Sequence, residues 1–241
     1  MTAGLTVLPL EGIPEIEEGD DLAARLGDAA ARAGGFKPGD VLVVAQKAVS
    51  KAEGRVVALE EVEPSENARE HAGEGDPRHV ETILRETVRV VRSRPPLVIA
   101  ETRHGFVCAS AGVDASNAPA SGTVVLLPLD PDASARALHE RLGVAVIVSD
   151  SFGRPFRLGT TDVAIGVAGL PPLRDHRGRR DRVGYVLKTT QIAVADEIAG
   201  AAELVMGKTD GIPAAIVRGL ALEGEGSARD LVMPPDRDLF R

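Results

Sequence analysis

The amino-acid sequence, of 241 residues, predicts a mixed α+β fold. Apolar residues make up 44% of the chain, which at this length is enough to bury a core. Short, continuous apolar runs such as residues 41–45 are typical of buried strands, whereas other segments carry apolar residues at helical spacing. Because the two kinds of segment do not alternate strictly, a doubly wound sheet is disfavoured. No repeat or clear linker divides residues 1–241, so we expect one unit, or two interlocked subdomains.

The first third of the chain predicts a strand, a capped helix and a second strand. Residues 5–10 form an apolar strand candidate that ends in a turn. Asp20 or Asp21 can then cap an Ala-rich helix that stops at Gly34, before the strand candidate at residues 41–45. Further on, apolar residues fall on one face at helical spacing, which predicts a long helix over residues 77–92.

The rest of the chain predicts more strands than helices. Four short apolar runs predict strands, at residues 97–100, 106–109, 124–127 and 144–148. Asp130 can cap, and Pro131 can begin, a helix that ends near residue 142. Residues 153–184 have weak periodicity and predict loops and short strands. A strongly patterned helix over residues 190–206 and a strand over residues 213–217 complete the prediction.

Composition and charge exclude several classes of function. The net charge of −8 and the aromatic content of 2% disfavour nucleic-acid binding, which uses basic surfaces and stacking aromatic side chains. The single cysteine, Cys108, cannot form an intramolecular disulfide, so nothing indicates an oxidising compartment. No segment has the pattern of a signal peptide or the length of a membrane span. We therefore expect a cytoplasmic protein without membrane or nucleic-acid partners.

The tripeptide Gly207-Lys208-Thr209 resembles the end of a phosphate-binding P-loop but fails the requirements of that motif. A P-loop needs a glycine at position 202, where this chain has alanine. The tripeptide also follows a predicted helix and precedes a predicted strand, which is the reverse of the P-loop order. A nucleotide would have to bind to this chain through another architecture.

The most informative polar cluster follows the apolar run at residues 144–148. Asp150 and Ser151 offer a pair of oxygens suited to Mg²⁺ or Mn²⁺, and we expect the end of a buried strand to hold them rigidly. Arg154 and Arg157 follow closely and could bind a substrate phosphate in bidentate fashion. The alternative is a polar turn in which Asp150 caps backbone amides.

A second polar cluster follows the strand candidate at residues 106–109. Asp114, Ser116 and Asn117 stand among small residues, which permit close approach of the backbone to a ligand. Asp114 could share a cation with Asp150. A local turn closed by the Asp114 side chain is the alternative reading of this segment.

A third cluster follows the strand candidate at residues 41–45. That strand leads to Gln46 and Lys47, and Lys51 lies four residues further on. If the segment is helical, the two lysines share a face and could neutralise the charge of a phosphate. As a bare pattern, such lysines more often form a solvated surface.

Together, these segments resemble the coenzyme F420-0 γ-glutamyl ligase family. The resemblance covers almost the whole chain without a large insertion. The motifs that carry it are GDVLVVAQKAVSKAEGR at 39–55, GFVCASAGVDASN at 105–117, LPLDPDASA at 127–135, VSDSFGRPFRLG at 148–159 and VADEIAGAAELVMGK at 194–208. Some members carry a fused C-terminal domain, and this chain resembles the stand-alone form or an isolated ligase domain.

The resemblance implies a fold and a reaction. The fold would be an α+β arrangement of mixed and antiparallel sheets with flanking helices, assembled as an intertwined homodimer. The reaction would use GTP to activate the terminal carboxylate of F420-0 as an acyl phosphate, which the amine of L-glutamate then attacks. Mg²⁺ or Mn²⁺ would be required, with K⁺ as a further candidate cation. Additional γ-linked glutamates could follow the first.

The resemblance also implies roles for individual residues. Asp114 and Asp150 match ligands of one divalent cation, and Ser151 matches a ligand of a second one. Lys51 would stabilise phosphate, which makes Asp114, Asp150 and Lys51 the candidate catalytic residues. The positions that match GTP contacts are Ile13, Pro14, Glu15, Ile16, Gln46, Lys51, Asn117, Met206, Gly207, Lys208, Thr209, Asp210 and Gly211. Lys208 departs from the acidic or amide residue that serves the second cation in some members.

Two other functions remain open from the residues alone. A metal-dependent phosphotransferase would phosphorylate a small acid and stop there, so its phosphate chemistry would not depend on glutamate. A nucleotide-binding regulator would bind GTP without turnover. The carboxylate and hydroxyl at residues 150–151, with the arginines that follow, favour catalysis over simple binding.

Overall fold

A computed structural model describes residues 4–239, and it is an α+β fold with mixed and antiparallel sheets. Its strands are β1 (Thr6–Pro9), β2 (Val41–Ala45), β3 (Val56–Ala58), β4 (Thr87–Arg94), β5 (Leu97–Thr102), β6 (Val107–Ala109), β7 (Thr123–Val125), β8 (Ala145–Gly153), β9 (Thr160–Ala168), β10 (Arg174–Asp175), β11 (Gln191–Ile192) and β12 (Ala214–Arg218). Its α-helices are α1 (Leu22–Arg32), α2 (Gln46–Ala52), α3 (Glu66–Ala72), α4 (Pro77–Arg85), α5 (Pro131–Leu142) and α6 (Val194–Met206). Within the described residues, no helix combines the length and apolar character that crossing a bilayer requires.

The central sheet has five strands in the order β1-β12-β2-β8-β9. Only β2 and β8 pair in parallel, and the other neighbours are antiparallel. Alternate residues of β2 enter two different cores: Leu42 and Val44 pack with α1 and α5, whereas Val41 and Val43 pack with α6. A strand that is buried on both faces reads as one continuous apolar run, which is the pattern that the sequence displays at residues 41–45.

A further hydrophobic core lies beside the sheets β4-β5-β6 and β3-β7. Its buried residues include Ile83 of α4, Val98 and Ala100 of β5, and Val124 of β7. A short antiparallel pair, β10 and β11, forms a separate two-stranded sheet. The prediction that residues 1–241 form one unit stays a prediction.

The predicted helix over residues 77–92 is wrong in its second half. Helix α4 ends at Arg85, and β4 begins at Thr87 and pairs antiparallel with β5. The β-branched residues Thr87, Val88 and Val90 favour a strand once a partner strand is available. Val88 remains 69% exposed, so the helical spacing in this segment did not mark a buried face.

The strand predicted at residues 144–148 extends further than its apolar run. Strand β8 continues through Ser149, Asp150 and Ser151 to Gly153, so the cluster lies within the strand instead of following it. The prediction of loops and short strands for residues 153–184 likewise missed the nine-residue strand β9. The first residues of β9 are polar and pair with the polar end of β8. Neither segment has a continuous apolar run there, so the sequence contains no strand signal for these residues.

Most other predicted elements are confirmed. Asp21 accepts a hydrogen bond from Ala24 N and caps α1, and Asp130 accepts one from Ala133 N and caps α5. The last long helix begins at Val194, four residues later than position 190, where the prediction placed its start. Strand β12 begins at Ala214, in agreement with the strand predicted at residues 213–217.

Candidate active site

A cavity of about 470 Å³ opens where β2 meets α2, beside β8 and the C-terminal end of α6. Six separate segments of the chain contribute to its wall. The predicted site residues that line it are Ile13, Pro14, Glu15, Ile16, Gln46, Lys51, Asn117, Asp150, Ser151, Met206, Gly207, Lys208 and Gly211. The fold therefore brings together residues that lie up to 198 positions apart in the sequence.

Five predicted site residues lie outside the wall of this cavity. Thr209 and Asp210 belong to the same loop as the lining residues on either side, and Asp114 contacts the cavity residues Lys47 and Lys208. Arg154 and Arg157 are exposed on the connection between β8 and β9. Arg154 Nη2 donates to Leu158 O at 3.0 Å, within that connection.

Helix α2 directs two lysines into the cavity. It begins at Gln46, directly after β2, so that Lys47 and Lys51 lie one turn apart on the face that lines the cavity. This arrangement confirms the shared face predicted from their spacing. Both side chains are largely buried, with exposed fractions of 14% for Lys47 and 9% for Lys51. Two nearly buried ammonium groups on one wall favour an anionic ligand.

Gln46 is fixed by hydrogen bonds at the first turn of α2. Its Nε2 donates to Ser50 Oγ and to Leu126 O, each at 2.8 Å. Since an amide nitrogen has two hydrogens, both donors of Gln46 are used within the protein. Gln46 can therefore offer a ligand only its side-chain oxygen, as a hydrogen-bond acceptor.

Asp114 is neutralised by the cavity lysines. Lys47 Nζ lies 2.5 Å from Asp114 Oδ2, and Lys208 Nζ lies 3.8 Å from the same oxygen. Ser116 donates to Asp114 through its backbone N–H at 2.7 Å and its hydroxyl at 2.8 Å, so the predicted local turn is also present. Burial acts to raise the pKa of Asp114, but the hydrogen bonds from Lys47 and Ser116 outweigh it and hold the pKa below its usual value.

Lys51 pairs with a carboxylate from another segment of the cavity wall. Its ammonium contacts Glu15, which lies on the predicted nucleotide-contacting turn at residues 13–16. The Glu15 side chain is 65% exposed, whereas that of Lys51 is 9% exposed. An exposed carboxylate can leave this contact more readily than the buried lysine can, so Lys51 is available to another anion.

Asp150 is the most strongly perturbed carboxylate of the site. Burial raises the pKa of Asp150 to about 7, although the nearby charge of Lys47 acts in the opposite direction. The neighbouring carboxylates Asp162 and Asp114 raise it further. Asp150 Oδ1 accepts a hydrogen bond from Ser151 N at 2.9 Å. A carboxylate held in such surroundings is a candidate functional group, because a bound cation would restore its charge.

Asp162 is a cavity residue that the sequence analysis missed. It lies on β9 directly opposite Ser151 of β8, and it is 7% exposed. Its Oδ1 accepts from Ser151 Oγ at 2.6 Å, and its Oδ2 accepts from Ser149 Oγ at 2.9 Å. The signal available in the sequence was a lone acidic residue directly before the apolar run at residues 163–168.

Cys108 lies close enough to Asp150 for their charges to interact. Burial raises the pKa of the Cys108 thiol to about 12, and the carboxylate of Asp150 contributes to that rise. Nucleophilic cysteines act as thiolates, which this environment disfavours. Cys108 is therefore a packing residue beside the site.

Asn117 joins two of the loops that surround the cavity. Its Nδ2 donates to Lys208 O at 3.1 Å, although the two residues are 91 positions apart. Asn117 has a φ of 53°, a left-handed conformation that asparagine adopts more easily than most residues. The hydrogen bond holds the Asn117 segment against the segment that follows α6.

The oxygen donors of the cavity fit a hard divalent cation. Asp150, Ser151 and Asp162 line the cavity, and Asp162 accepts a hydrogen bond from Ser151 Oγ. Among the described residues, however, no three Asp, Glu, His or Cys side chains form a complete set of metal ligands. Mg²⁺ often binds through one or two carboxylates and completes its shell with water and substrate phosphates. The donor set present here matches that mode of binding.

Comparison with known proteins identifies the family. The sequence profile of the F420-0:gamma-glutamyl ligase family matches residues 12–219, which include every residue of the predicted site. The chain belongs to this family. The F420-0:gamma-glutamyl ligase family accounts for the predicted fold class, and the chain is accordingly a ligase.

Curated relatives extend this family match over nearly the full length. The coenzyme F420:L-glutamate ligase of Methanopyrus kandleri is 48% identical over 256 aligned positions, with 99% of each chain covered. The enzyme of the same name from Methanothermobacter thermautotrophicus is 46% identical, also with 99% of each chain covered. That from Archaeoglobus fulgidus is 44% identical, with 98% of this chain and 96% of the relative covered.

Proposed function

We propose that this ligase joins L-glutamate to coenzyme F420-0 in coenzyme F420 biosynthesis, with GTP as the energy source. The names of the family and of the full-length relatives support F420-0 and L-glutamate as the two substrates that are joined. The observation that carries the use of a nucleoside triphosphate is the cavity, in which Lys47 and Lys51 lie beside Asp150 and Ser151. Ammonium groups next to hard oxygen donors suit a polyphosphate and its metal ion.

The proposed reaction has two steps. A terminal carboxylate oxygen of F420-0 attacks the γ-phosphorus of GTP, and GDP leaves as an acyl phosphate forms. The amine nitrogen of glutamate then attacks the acyl carbon, inorganic phosphate leaves, and the amine releases a proton as the amide bond forms. A carboxylate is a poor electrophile, so activation by phosphorylation must come before the attack of the amine.

The residues of the cavity have separate roles in this reaction. Lys47 and Lys51 stabilise the phosphate charge that moves during transfer, from fixed and largely buried positions. Gln46 Oε1 and the 13–16 turn contact the rest of the nucleotide, and Gln46 can only accept from it. Asp114 and Asp150 would hold one Mg²⁺ or Mn²⁺ and Ser151 would contact a second, and these cations would neutralise phosphate charge and orient the phosphates. K⁺ remains a candidate for an additional cation.

Substrate binding outside the cavity is a further part of the proposal. Arg154 and Arg157 lie exposed on the β8–β9 connection, beyond the cavity wall. From that position they could contact the phosphate of F420-0 while the terminal carboxylate reaches the cavity. The proposed assembly is a homodimer, and the proposed location is the cytoplasm.

Measurement of inorganic phosphate release from GTP distinguishes this ligase from a phosphotransferase that only phosphorylates a small acid. We expect inorganic phosphate release from GTP to require F420-0, L-glutamate and a divalent cation together. Glutamine in place of glutamate serves as a matched control for the amine substrate. Phosphate release that proceeds at the full rate without glutamate would contradict the ligase and support phosphorylation alone.

A further inference from the structure

The hydroxyl of Ser151 has a fixed orientation. Ser151 and Asp162 are directly paired across β8 and β9, and Ser151 Oγ donates to Asp162 Oδ1 at 2.6 Å. Residues two positions apart on a strand share a face, so Ser149 reaches the same carboxylate and donates to Oδ2 at 2.9 Å. Both oxygens of Asp162 are therefore occupied by hydroxyl donors.

This fixed orientation determines what Ser151 can offer to a ligand. A serine hydroxyl has one hydrogen and two lone pairs. Because its hydrogen is donated to Asp162, Ser151 Oγ can act towards the cavity only as an acceptor. The bond from Ser149 holds the Asp162 carboxylate from the other side, so the carboxylate cannot rotate away from Ser151 without breaking a buried contact.

We propose that Asp162 is a positioning residue, which orients Ser151 as an oxygen ligand for a divalent cation. Asp162 acts through Ser151, in the way that outer hydrogen-bond partners orient metal ligands in other proteins. The inference rests on the proposed metal-dependent function and adds to it a residue whose contribution is to affinity for the cation. Ser149, two residues earlier on β8 and itself buried, supports the same arrangement.

Asp162→Asn separates positioning from simple packing. The amide has nearly the shape of the carboxylate, but its nitrogen donates hydrogen bonds where the carboxylate accepts them. An amide hydrogen directed at Ser151 Oγ would occupy a lone pair and turn the serine hydrogen elsewhere. A packing role would change thermal stability and leave cation affinity unaltered.

The test is the dissociation constant of Mn²⁺, measured by electron paramagnetic resonance on the full chain with saturating GDP. We expect Asp162→Asn and Ser151→Ala each to weaken Mn²⁺ binding about 10- to 100-fold. The double variant should bind no more weakly than the weaker single variant, because Asp162 acts through Ser151. Asp196→Asn is the matched control, since Asp196 also contacts β9 through Ala164 N but lies outside the cavity wall.

Wild-type Mn²⁺ affinity in Asp162→Asn would overturn the inference, and so would additive losses in the double variant. If Asp162→Asn does not fold, Ser149→Ala takes its place, and unchanged Mn²⁺ affinity in that variant would overturn the inference. Absence of Mn²⁺ binding by the wild-type chain would overturn both the inference and the metal dependence. The ligation assay then decides separately whether the ligase function stands.

Discussion

Lys47 Nζ and Asp114 Oδ2 lie 2.5 Å apart, although 67 residues separate them in the sequence. This contact joins helix α2 to the segment that follows β6, and it places a largely buried ammonium group beside the cavity carboxylates. Lys47 therefore has two effects. It helps to hold the pKa of Asp114 below its usual value and limits the rise in the pKa of Asp150, and it presents a positive charge to the cavity.

Replacement of this lysine tests the phosphate-binding wall. We expect Lys47→Met to lower kcat for GTP-dependent ligation by about 10²- to 10³-fold, the usual loss when one electrostatic contact to the transition state is removed. Steady-state kinetics with GTP as the varied substrate provide the measurement. Lys37→Met is the control, because Lys37 is exposed and lies outside the cavity wall. Equal activity in the two variants would exclude Lys47 from the reaction.

The position of Lys47 was predictable only in part. The sequence indicated that Lys47 and Lys51 could share a helical face, because that relation depends on spacing within one short segment. The contact of Lys47 with Asp114 depends on how two distant segments pack, and the spacing of residues within one segment does not indicate this. Asp162 escaped prediction for the same reason, since its partner Ser151 lies on the neighbouring strand.

The fold shows the same division between local and long-range information. Helix α5 was predictable because its cap, Asp130, and its first residue, Pro131, are local signals. Strand β4 was mistaken for helix because its pairing with β5, which decides its conformation, is absent from the local pattern. The resemblance to a known family supplied the site residues that no local pattern identifies.

Glu15 is expected to compete with the nucleotide for Lys51. Removing its charge in Glu15→Gln should lower the KM for GTP, because phosphate no longer displaces a carboxylate from Lys51. We expect a change of about 3- to 10-fold, equivalent to about 1 kcal/mol for a partly exposed ion pair. The measurement is KM at low ionic strength, with Glu17→Gln as a control of equal charge outside the cavity wall. An unchanged or raised KM in Glu15→Gln would contradict this competition.

Asp150 is expected to lower the stability of the metal-free protein. Its folded-state pKa of about 7 lies above the unfolded value, so the folded state retains a proton that the unfolded state loses as the pH rises. Stability should therefore fall between about pH 4 and pH 7 and then level off. Asp150→Asn removes this penalty and should raise Tm above pH 7 in EDTA, by about 2–4 °C for each kcal/mol recovered.

Two controls define that measurement. At about pH 3, where Asp150 is mostly protonated in both states, the Tm difference between the wild type and Asp150→Asn should be small. The ligase activity of the variant should be lost even though its stability has increased. A variant that is less stable than the wild type at pH 8 would show that the charge of Asp150 is not a source of instability.

Asp40 and Arg218 form a partly buried ion pair that should stabilise the fold. Arg218 Nη2 lies 2.7 Å from Asp40 Oδ2, and the Asp40 side chain is fully buried. The hydrogen bond from Arg218 is the main reason that the pKa of Asp40 is lowered, so its stabilising effect is present above the unfolded pKa and is lost as the pH falls through the folded pKa. Asp40→Asn should cost about 3 kcal/mol at pH 7.

Chemical denaturation at several pH values provides this measurement. The difference in unfolding free energy between the wild type and Asp40→Asn should shrink below about pH 4, where the wild-type carboxylate also becomes protonated. Asp175→Asn is a suitable control because Asp175 pairs with Arg177 at an exposed site. A loss at Asp40 that does not change with pH would indicate a packing effect instead of an ionic one.

The most direct test of the proposed function is mass spectrometry of the products formed by the purified chain. The substrates are F420-0, GTP, L-glutamate and Mn²⁺ or Mg²⁺, and the control is Asp150→Asn under the same conditions. We predict products heavier than F420-0 by one or more glutamyl units, dependent on GTP and metal and absent with the variant. GTP consumption by the wild type without any glutamylated product would contradict the assignment of this cavity to the ligation of glutamate to F420-0.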